Sequence, residues 1–431
     1  MTPLTGKSGG LGHWKGLALA ALLACWLPTV AAWAADRIVI GVPTSLTLAE
    51  GSESRDAVIL AAEEINARGG VRVGGQRMKI EVVETDLRDG LPGVDPGAAV
   101  AGLETFLREK KPQALLVGPF RSEVLLAGLD VIAAHRRPLI GTIAMSPATE
   151  LKVLKDPRHR FVFRAGLDAK YLVGYLIHSL DFLREKFGFG RVYIMNQDVA
   201  WARSTASMTM RLYFNRQGWK VLGQENYPSA TADFTAGLAR ARTEKAQVIL
   251  CVFDDPHSGR LVEQWNQMQV PAILAGFISP MTGPSAWEKF DRRIARALSM
   301  VFELGNLPSR RHPPATAFYE AYRRRFGREI ETGHGPAPSY EGVHLLAEAA
   351  TRAGSLDPDR LVTALEQTDR LGTMGRIRFH KGHQAVFGSD PGQEALACLV
   401  QWTGSGERRI VFPQAVAEGE LELPPFVPSV K

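Results

Sequence analysis

Cysteine is scarce in this chain: three residues in 431, one of them, Cys25, inside an apolar N-terminal stretch. The other two, Cys251 and Cys398, exclude a disulfide framework. They could form one bond in an oxidising compartment, but Cys251 falls within the apolar run Val248–Val252, which favours two buried thiols. Long apolar runs are also few. Beyond residue 34 none approaches the roughly 20 residues needed to span a bilayer, so stable membrane insertion is not expected. Beyond that point the chain also lacks a G-x-S-x-G elbow, an H-E-x-x-H pair, a G-x-x-x-x-G-K-[ST] loop and a G-x-G-x-x-G turn opening the first helix. The commonest hydrolase, zinc-protease and nucleotide-binding readings are thereby excluded, and no cofactor is expected. His380-Lys-Gly-His383 has a glycine in a predicted turn and no neighbouring acid or cysteine; it reads as a solvated bend. Asp254-Asp255-Pro256-His257, at a strand end, is the better candidate for charge chemistry, but lacks the further ligands of a metal site. The net charge of +6 comes from arginines dispersed among acids. The densest run, Arg323-Arg324-Arg325 after Glu320, reads as a solvated helix face, and no nucleic-acid partner is expected.

What is present begins with a leader. Lys7 and Lys15 are the only charged side chains before Asp36. After them comes the apolar stretch from Gly16 to Ala31, then Ala32-Trp33-Ala34, a small-x-small triplet. A basic head, a short apolar core and an A-x-A site make residues 1–34 a secretory signal, placing the remainder in the periplasm as a soluble protein. Pro28 and the short core argue against an anchor. Lipid attachment at Cys25 is the alternative, since Leu22-Leu23-Ala24-Cys25 loosely follows a lipobox, although Leu23 is bulky for one. About 400 residues remain, chain enough for two to three domains.

From Asp36 to about residue 300, short apolar runs alternate with amphipathic helices. Ile38–Val42 reads as a strand, and Val58, Ala61, Ala62 and Ile65 recur at i, i+3, i+4, i+7, one buried helical face. Met78–Val83, Ala114–Val117, Leu139–Ile140, Arg191–Met195, Val248–Val252 and Ala272–Ala275 continue the strand series, with helical stripes between them. Strands separated by helices imply βαβ units and parallel sheets covered on both faces. So many strands exceed one ordinary sheet, which points to two α/β lobes. Phe163–Gly166 offers one crossing between them. Later come helices striped by Phe318, Tyr322, Phe326 and by Val343, Leu346, Ala350, and late strands at Gly375–Phe379 and Ala397–Trp402.

Ligands of open α/β sheets bind beyond the carboxyl ends of the strands, where helix N-termini and loop amides point outward. That rule nominates residues 43–51, 118–123, 142–147, 196–204, 253–257 and 276–279. Ser122 and Ser146 have a second reading there as helix N-caps.

The residues also resemble a family. Ala61-Ala-Glu-Glu-Ile-Asn66-Ala-Arg-Gly69-Gly70 is similar to the A-x-x-x-I-N-x-x-G-G signature of periplasmic leucine/isoleucine/valine-binding proteins. Asp86, Asp95-Pro96, Val117-Gly118 with Ser122, Ala144-Met-Ser146, Phe161–Arg164, Asp233-Phe234 and Ser339–Val343 continue the resemblance in order. It implies a type I periplasmic-binding fold: α/β, two Rossmann-like lobes with parallel sheets, joined by a three-crossover hinge and closing on a ligand. It places lobe 1 at 35–165 and 304–372, and lobe 2 at 166–303 and 373–431. It implies a monomeric, non-catalytic solute carrier whose partners are a small molecule and the permease subunits of an ABC importer. A sensor subunit signalling to a membrane partner, or an exported enzyme, are the other readings.

Carried over by position, the resemblance implies a ligand site of Glu50, Arg121, Ser122, Ala144, Ser146, Trp201, Asp254, Asp255 and Phe277. Ser122, Ser146 and the main chain at Ala144 match the family's carboxylate grip, and Trp201 keeps an aromatic wall. Glu50 stands where the family has an aromatic lid. No acid is found around Gly276-Phe277-Ile278, where the family places the partner of the ligand ammonium. Such charge suits an amino acid with a polar side chain, or another small polar metabolite, better than leucine, unless Arg121 and Glu50 pair with each other at the rim.

Overall fold

A computed structural model describes residues 37–431. The leader, Cys25 and the A-x-A triplet lie outside the described residues. The first sheet runs in the order β2-β3-β1-β4-β5-β6, with β1 Arg37–Thr44, β2 Val71–Val73, β3 Gln76–Asp86, β4 Ala114–Val117, β5 Leu139–Gly141 and β6 Val162–Arg164. All its pairings are parallel except the β2–β3 hairpin. The second sheet has the order β10-β9-β7-β8, with β7 Arg191–Gln197, β8 Lys220–Tyr227, β9 Val248–Phe253 and β10 Ile273–Ile278, and is parallel throughout. Strands β4, β9 and β10 are buried at every residue. Their unbroken apolar sequences follow from cover on both faces.

Of the first lobe's helices α1 Ala49–Ala67, α2 Pro96–Lys110 and α3 Ser122–His135, the first and third reach the site. Helix α1 buries Ala57, Val58, Ala61, Ala62 and Ile65, the stripe expected from the periodicity. It ends at Gly69-Gly70, both left-handed, and a Cβ on Gly70 would stand 2.4 Å from the Met78 carbonyl oxygen. Only glycine turns the chain into β3 at that distance.

Beyond residue 300 the chain returns to both lobes. The helix Pro336–Ala353 lies on the first sheet, where Gly342 leaves room for Leu116 of β4, while Tyr340 reaches Glu64 of α1. The antiparallel sheet of β11 Leu298–Val301, β14 Cys398–Trp402 and β15 Arg408–Phe412 extends the second lobe, with Trp402 bonded to the Met281 carbonyl; β12 Arg370–Gly372 and β13 Gly375–Ile377 form a separate hairpin. The passages between lobes are tied together. Arg164 and Ala385 exchange backbone bonds with the opposing segment, Gln384 reaches the Gly166 carbonyl, and Leu304 bonds to Leu396.

Cys251 and Cys398 are buried and unbonded to each other. The bend at His380–His383 differs from the expected solvated turn. His383 is buried, stacked flat on Phe163 at 3.9 Å, with Nε2 on Glu366. The left-handed turn at His383 folds the ring back onto the end of the first sheet. Among the described residues no helix is long and apolar enough to cross a membrane.

Candidate functional site

Parallel strands deliver their carboxyl ends to one side of each sheet, and the loops from both lobes meet there. The cleft they enclose is lined by Glu50, Phe120, Arg121, Ser122, Ile143, Met145, Trp201, Asp254, Phe277, Phe302 and His334.

Each wall residue is set by an element end. Arg121 and Ser122 sit where the loop after β4 enters α3; Asp89 accepts the Arg121 amide at 3.0 Å. Burial raises the Asp89 carboxyl to about 6, against the pull of those amides. Ser122 Oγ accepts from the amides of Met145 (3.2 Å) and Ser146 (3.1 Å), pinning the loop after β5. From the other lobe, Trp201 projects from the helix Ala200–Thr209, Asp254 from the end of β9 and Phe277 from β10. Gly276, at φ 108°, lets β10 lie against the Cys251 carbonyl, which a Cβ would approach to 2.2 Å.

The lobes touch through polar groups. Arg121 Nη1 donates to Asp254 Oδ2 at 2.7 Å, and Trp201 Nε1 donates to the same oxygen at 2.8 Å. Ser279 Oγ donates to Glu50 Oε1 at 2.6 Å across the cleft. The side chains of Arg121 and Asp254 are only 20% and 15% exposed, so this pair is shielded from screening far better than a surface bridge. Burial raises the Glu50 carboxyl, and the Ser279 hydroxyl offsets that only in part. The alternative of a Glu50–Arg121 rim pair does not hold: Arg121 meets Asp254 and Glu50 meets Ser279.

Behind this layer is a buried hydrogen-bonded cluster. His334 directs Nε2 to the Ile143 carbonyl at 2.8 Å and Nδ1 to Glu303 at 2.9 Å. A carbonyl only accepts, so Nε2 carries a proton, and the Glu303 carboxylate favours one on Nδ1 as well. Burial alone would lower the His334 pKa; Glu303 outweighs it and raises the imidazole above its usual value. Glu303 also accepts from Leu167 N, Asn306 Nδ2 and Gly335 N, joining segments from two of the inter-lobe passages.

Of the residues expected at the site, the cleft brings together Glu50, Arg121, Ser122, Trp201, Asp254 and Phe277. Three stand outside it. Asp255 faces away from Asp254, as the next residue of an extended segment must; its carboxylate caps Pro256–Ser258 through the His257 amide and also holds Ala230 N. Ser146 Oγ accepts from Ala148 N at 3.2 Å, just before the helix Ala148–Lys155, and the Ala144 carbonyl accepts from Arg164 Nη1. Phe120, Ile143 and Met145 fall in or beside nominated loops, where strand-end position was the available signal. Phe302 and His334 belong to inter-lobe passages, to which the strand-end rule does not extend. Among the described residues no group of three or more His, Cys, Asp or Glu is placed to hold a metal ion.

The sequence profile of a family described as "periplasmic binding protein" matches residues 39–393. Leu/Ile/Val-binding protein homolog 7 of Brucella suis is 24% identical over 382 residues, covering 87% of this chain and 90% of that protein. The branched-chain amino acid transporter substrate-binding protein of Streptococcus pneumoniae, solved with isoleucine, superposes with a TM-score of 0.70 at 20% identity, over 88% of this chain and 99% of that one. An ABC transporter substrate-binding protein from Sphaerobacter thermophilus gives 0.70 at 19%, over 89% and 99%. Such similarity establishes the fold: two α/β lobes of the type I periplasmic-binding class.

Proposed function

The chain belongs to the periplasmic binding protein family, and we propose that it is the exported solute-binding component of an ABC importer, holding a small amphiphilic metabolite in the cleft between its lobes. The observation that carries this reading is the cleft itself: donors, acids and aromatic rings from opposite lobes converge on one space. Trp201 and Asp254 from one lobe meet Arg121 from the other, so a ligand placed among them bridges the lobes and favours their closure. The released product would be the unchanged ligand handed to a permease.

Two outcomes follow. Calorimetric saturation with a ligand should be accompanied by a smaller radius of gyration in solution scattering and by a change in tryptophan emission that Trp201→Phe abolishes. Saturation with neither change would remove the bridging role. At about 100 times its dissociation constant the ligand should also add about 2.7 kcal/mol to stability by mass action. Secondly, the protein recovered from periplasmic extract should begin at Ala35. A mass corresponding to a lipid-modified Cys25 would instead make it a lipoprotein.

A further inference from the structure

The bend at His380–His383 belongs to the passage that pairs with Arg164, and one of its bonds fixes a protonation state. Gly382 N donates to His380 Nδ1 at 3.0 Å. A backbone N–H only donates, so Nδ1 bears no proton and Nε2 carries the ring's one nitrogen-bound hydrogen. Nε2 is buried and has no hydrogen-bond partner among the described residues; it lies 3.6 Å from Glu150 Oε1. Glu150 comes from the helix Ala148–Lys155, which follows β5 of the first sheet. Its other oxygen takes Lys170 Nζ at 2.9 Å, from the helix Ala169–Phe187 that leads to β7 of the second sheet. The carboxylate thus stands where both lobes and a passage between them meet. Only glycine at 382 admits it, since a Cβ there would lie 2.4 Å from Glu150 Cγ.

The bend is coupled to the cleft wall. The His383 carbonyl accepts Arg164 N at 2.8 Å, Ala385 N returns to the Arg164 carbonyl at 2.9 Å, and Gln384 spans to the Gly166 carbonyl. The Arg164 guanidinium in turn holds the Ala144 and Ser146 carbonyls, on either side of Met145, which lines the cleft. A second proton on the His380 ring goes from solvent to Nδ1. It turns the acceptor of the Gly382 amide into a donor, so that bond is lost, and it draws Nε2–H toward Glu150 in competition with Lys170. Burial holds the imidazole below its usual value; Glu150 and Asp168 pull against that, while Lys170 and Arg164 add to it.

We propose that His380 is a positioning residue for the hinge: while neutral it keeps the passages at Arg164 and Ala385 paired, and its protonation in acid loosens them. The neutral ring is an acceptor inside the bend, whereas the cation is a donor aimed at a carboxylate shared by both lobes. The sign follows from burial. A folded ring that resists protonation lends stability above the ordinary histidine value of 6.5, and that contribution is lost as the pH falls toward the lower folded value. Taken with the solute-binding reading above, capture weakens in acid; the hinge property itself is measured without ligand and stands or falls apart from that reading.

The test is amide hydrogen exchange at Arg164, Gly382 and Ala385, corrected for the intrinsic rate, at about pH 7.5 and about pH 5, either side of the histidine range. The parent is compared with His380→Asn, whose side-chain oxygen takes the Gly382 amide in an Asx turn and does not titrate. Protection in the parent should fall roughly two- to tenfold in acid, the worth of one ordinary hydrogen bond, and the Asn variant should keep it. His380→Phe, with no acceptor, should show the lower protection at both pH values. Nitrogen NMR of the parent ring at the higher pH should show the proton on Nε2. Three results each overturn the proposal: parent protection that does not change with pH, an Asn variant that loses as much as the parent, or a ring protonated on Nδ1 at the higher pH. The first and third need only the parent chain, so they decide even where a variant fails to fold.

Discussion

Replacing Glu303 with alanine should lower the unfolding free energy by about 3–5 kcal/mol, the loss typical of removing one partner from a buried ion pair. The residue is fully buried and accepts from Leu167 N (2.9 Å), His334 Nδ1 (2.9 Å), Asn306 Nδ2 (3.0 Å) and Gly335 N (3.1 Å). Alanine leaves all of these donors facing an empty space and strands the His334 imidazolium. Glu303→Gln keeps an acceptor of the same shape and should recover part of the loss. Urea denaturation read by circular dichroism measures both. A loss below about 1 kcal/mol for the alanine variant, the net worth of one ordinary hydrogen bond, would show that the cluster is held by its surroundings.

Arg121→Ala should weaken ligand binding roughly ten- to a hundredfold, since a hydrogen bond to a charged group is worth about 1.5–3 kcal/mol. Among the described residues the guanidinium is the one cation that lines the cleft with N–H groups still to give, because the His334 ring is committed on both sides. The same change removes the Arg121–Asp254 contact, so the unliganded protein should also show a larger radius of gyration. Asp255→Ala is the control. It lies one residue from Asp254 but caps a turn outside the cleft, so it should cost about 1 kcal/mol of stability, as a lost cap does, and leave affinity unchanged. Calorimetry that finds Arg121→Ala as tight as the parent, or Asp255→Ala as the weaker binder, would dislodge this assignment of roles.

The fold was legible because burial on both faces leaves a mark in sequence. β9 is Val-Ile-Leu-Cys-Val-Phe, with no alternation, and its full burial follows from that pattern. Helix α1 declared its inward face through Val58, Ala61, Ala62 and Ile65. The cleft was legible where it is built by strand ends, as at Arg121, Ser122 and Asp254. Pairing was not. Which cation meets which acid depends on how two lobes oppose one another, and Arg121 and Asp254 are 133 residues apart. Arg121 and Asp254 neutralise each other across the cleft, and Phe120, Phe277 and Phe302 form much of the rest of the wall. His334 carried no local signal, since its role requires Glu303 and the Ile143 carbonyl, brought together only by tertiary structure. His383 was misread because a turn glycine suggests solvent, whereas Phe163 supplied a face for the ring.

The late return of the chain to both lobes bears on the order in which the molecule can form. The helix Pro336–Ala353 covers the first sheet, and β14 lies between β11 and β15 with every residue buried. Neither half is therefore complete in an N-terminal fragment. A ribosome-bound chain lacking its last 34 residues still has β11 as an open edge, the kind of strand that pairs with a stranger. Contacts this distant in sequence also form slowly, because the loop between them must be closed first. For an exported polypeptide, as proposed here, that delay is useful: the unfolded state lasts until β14 has been made.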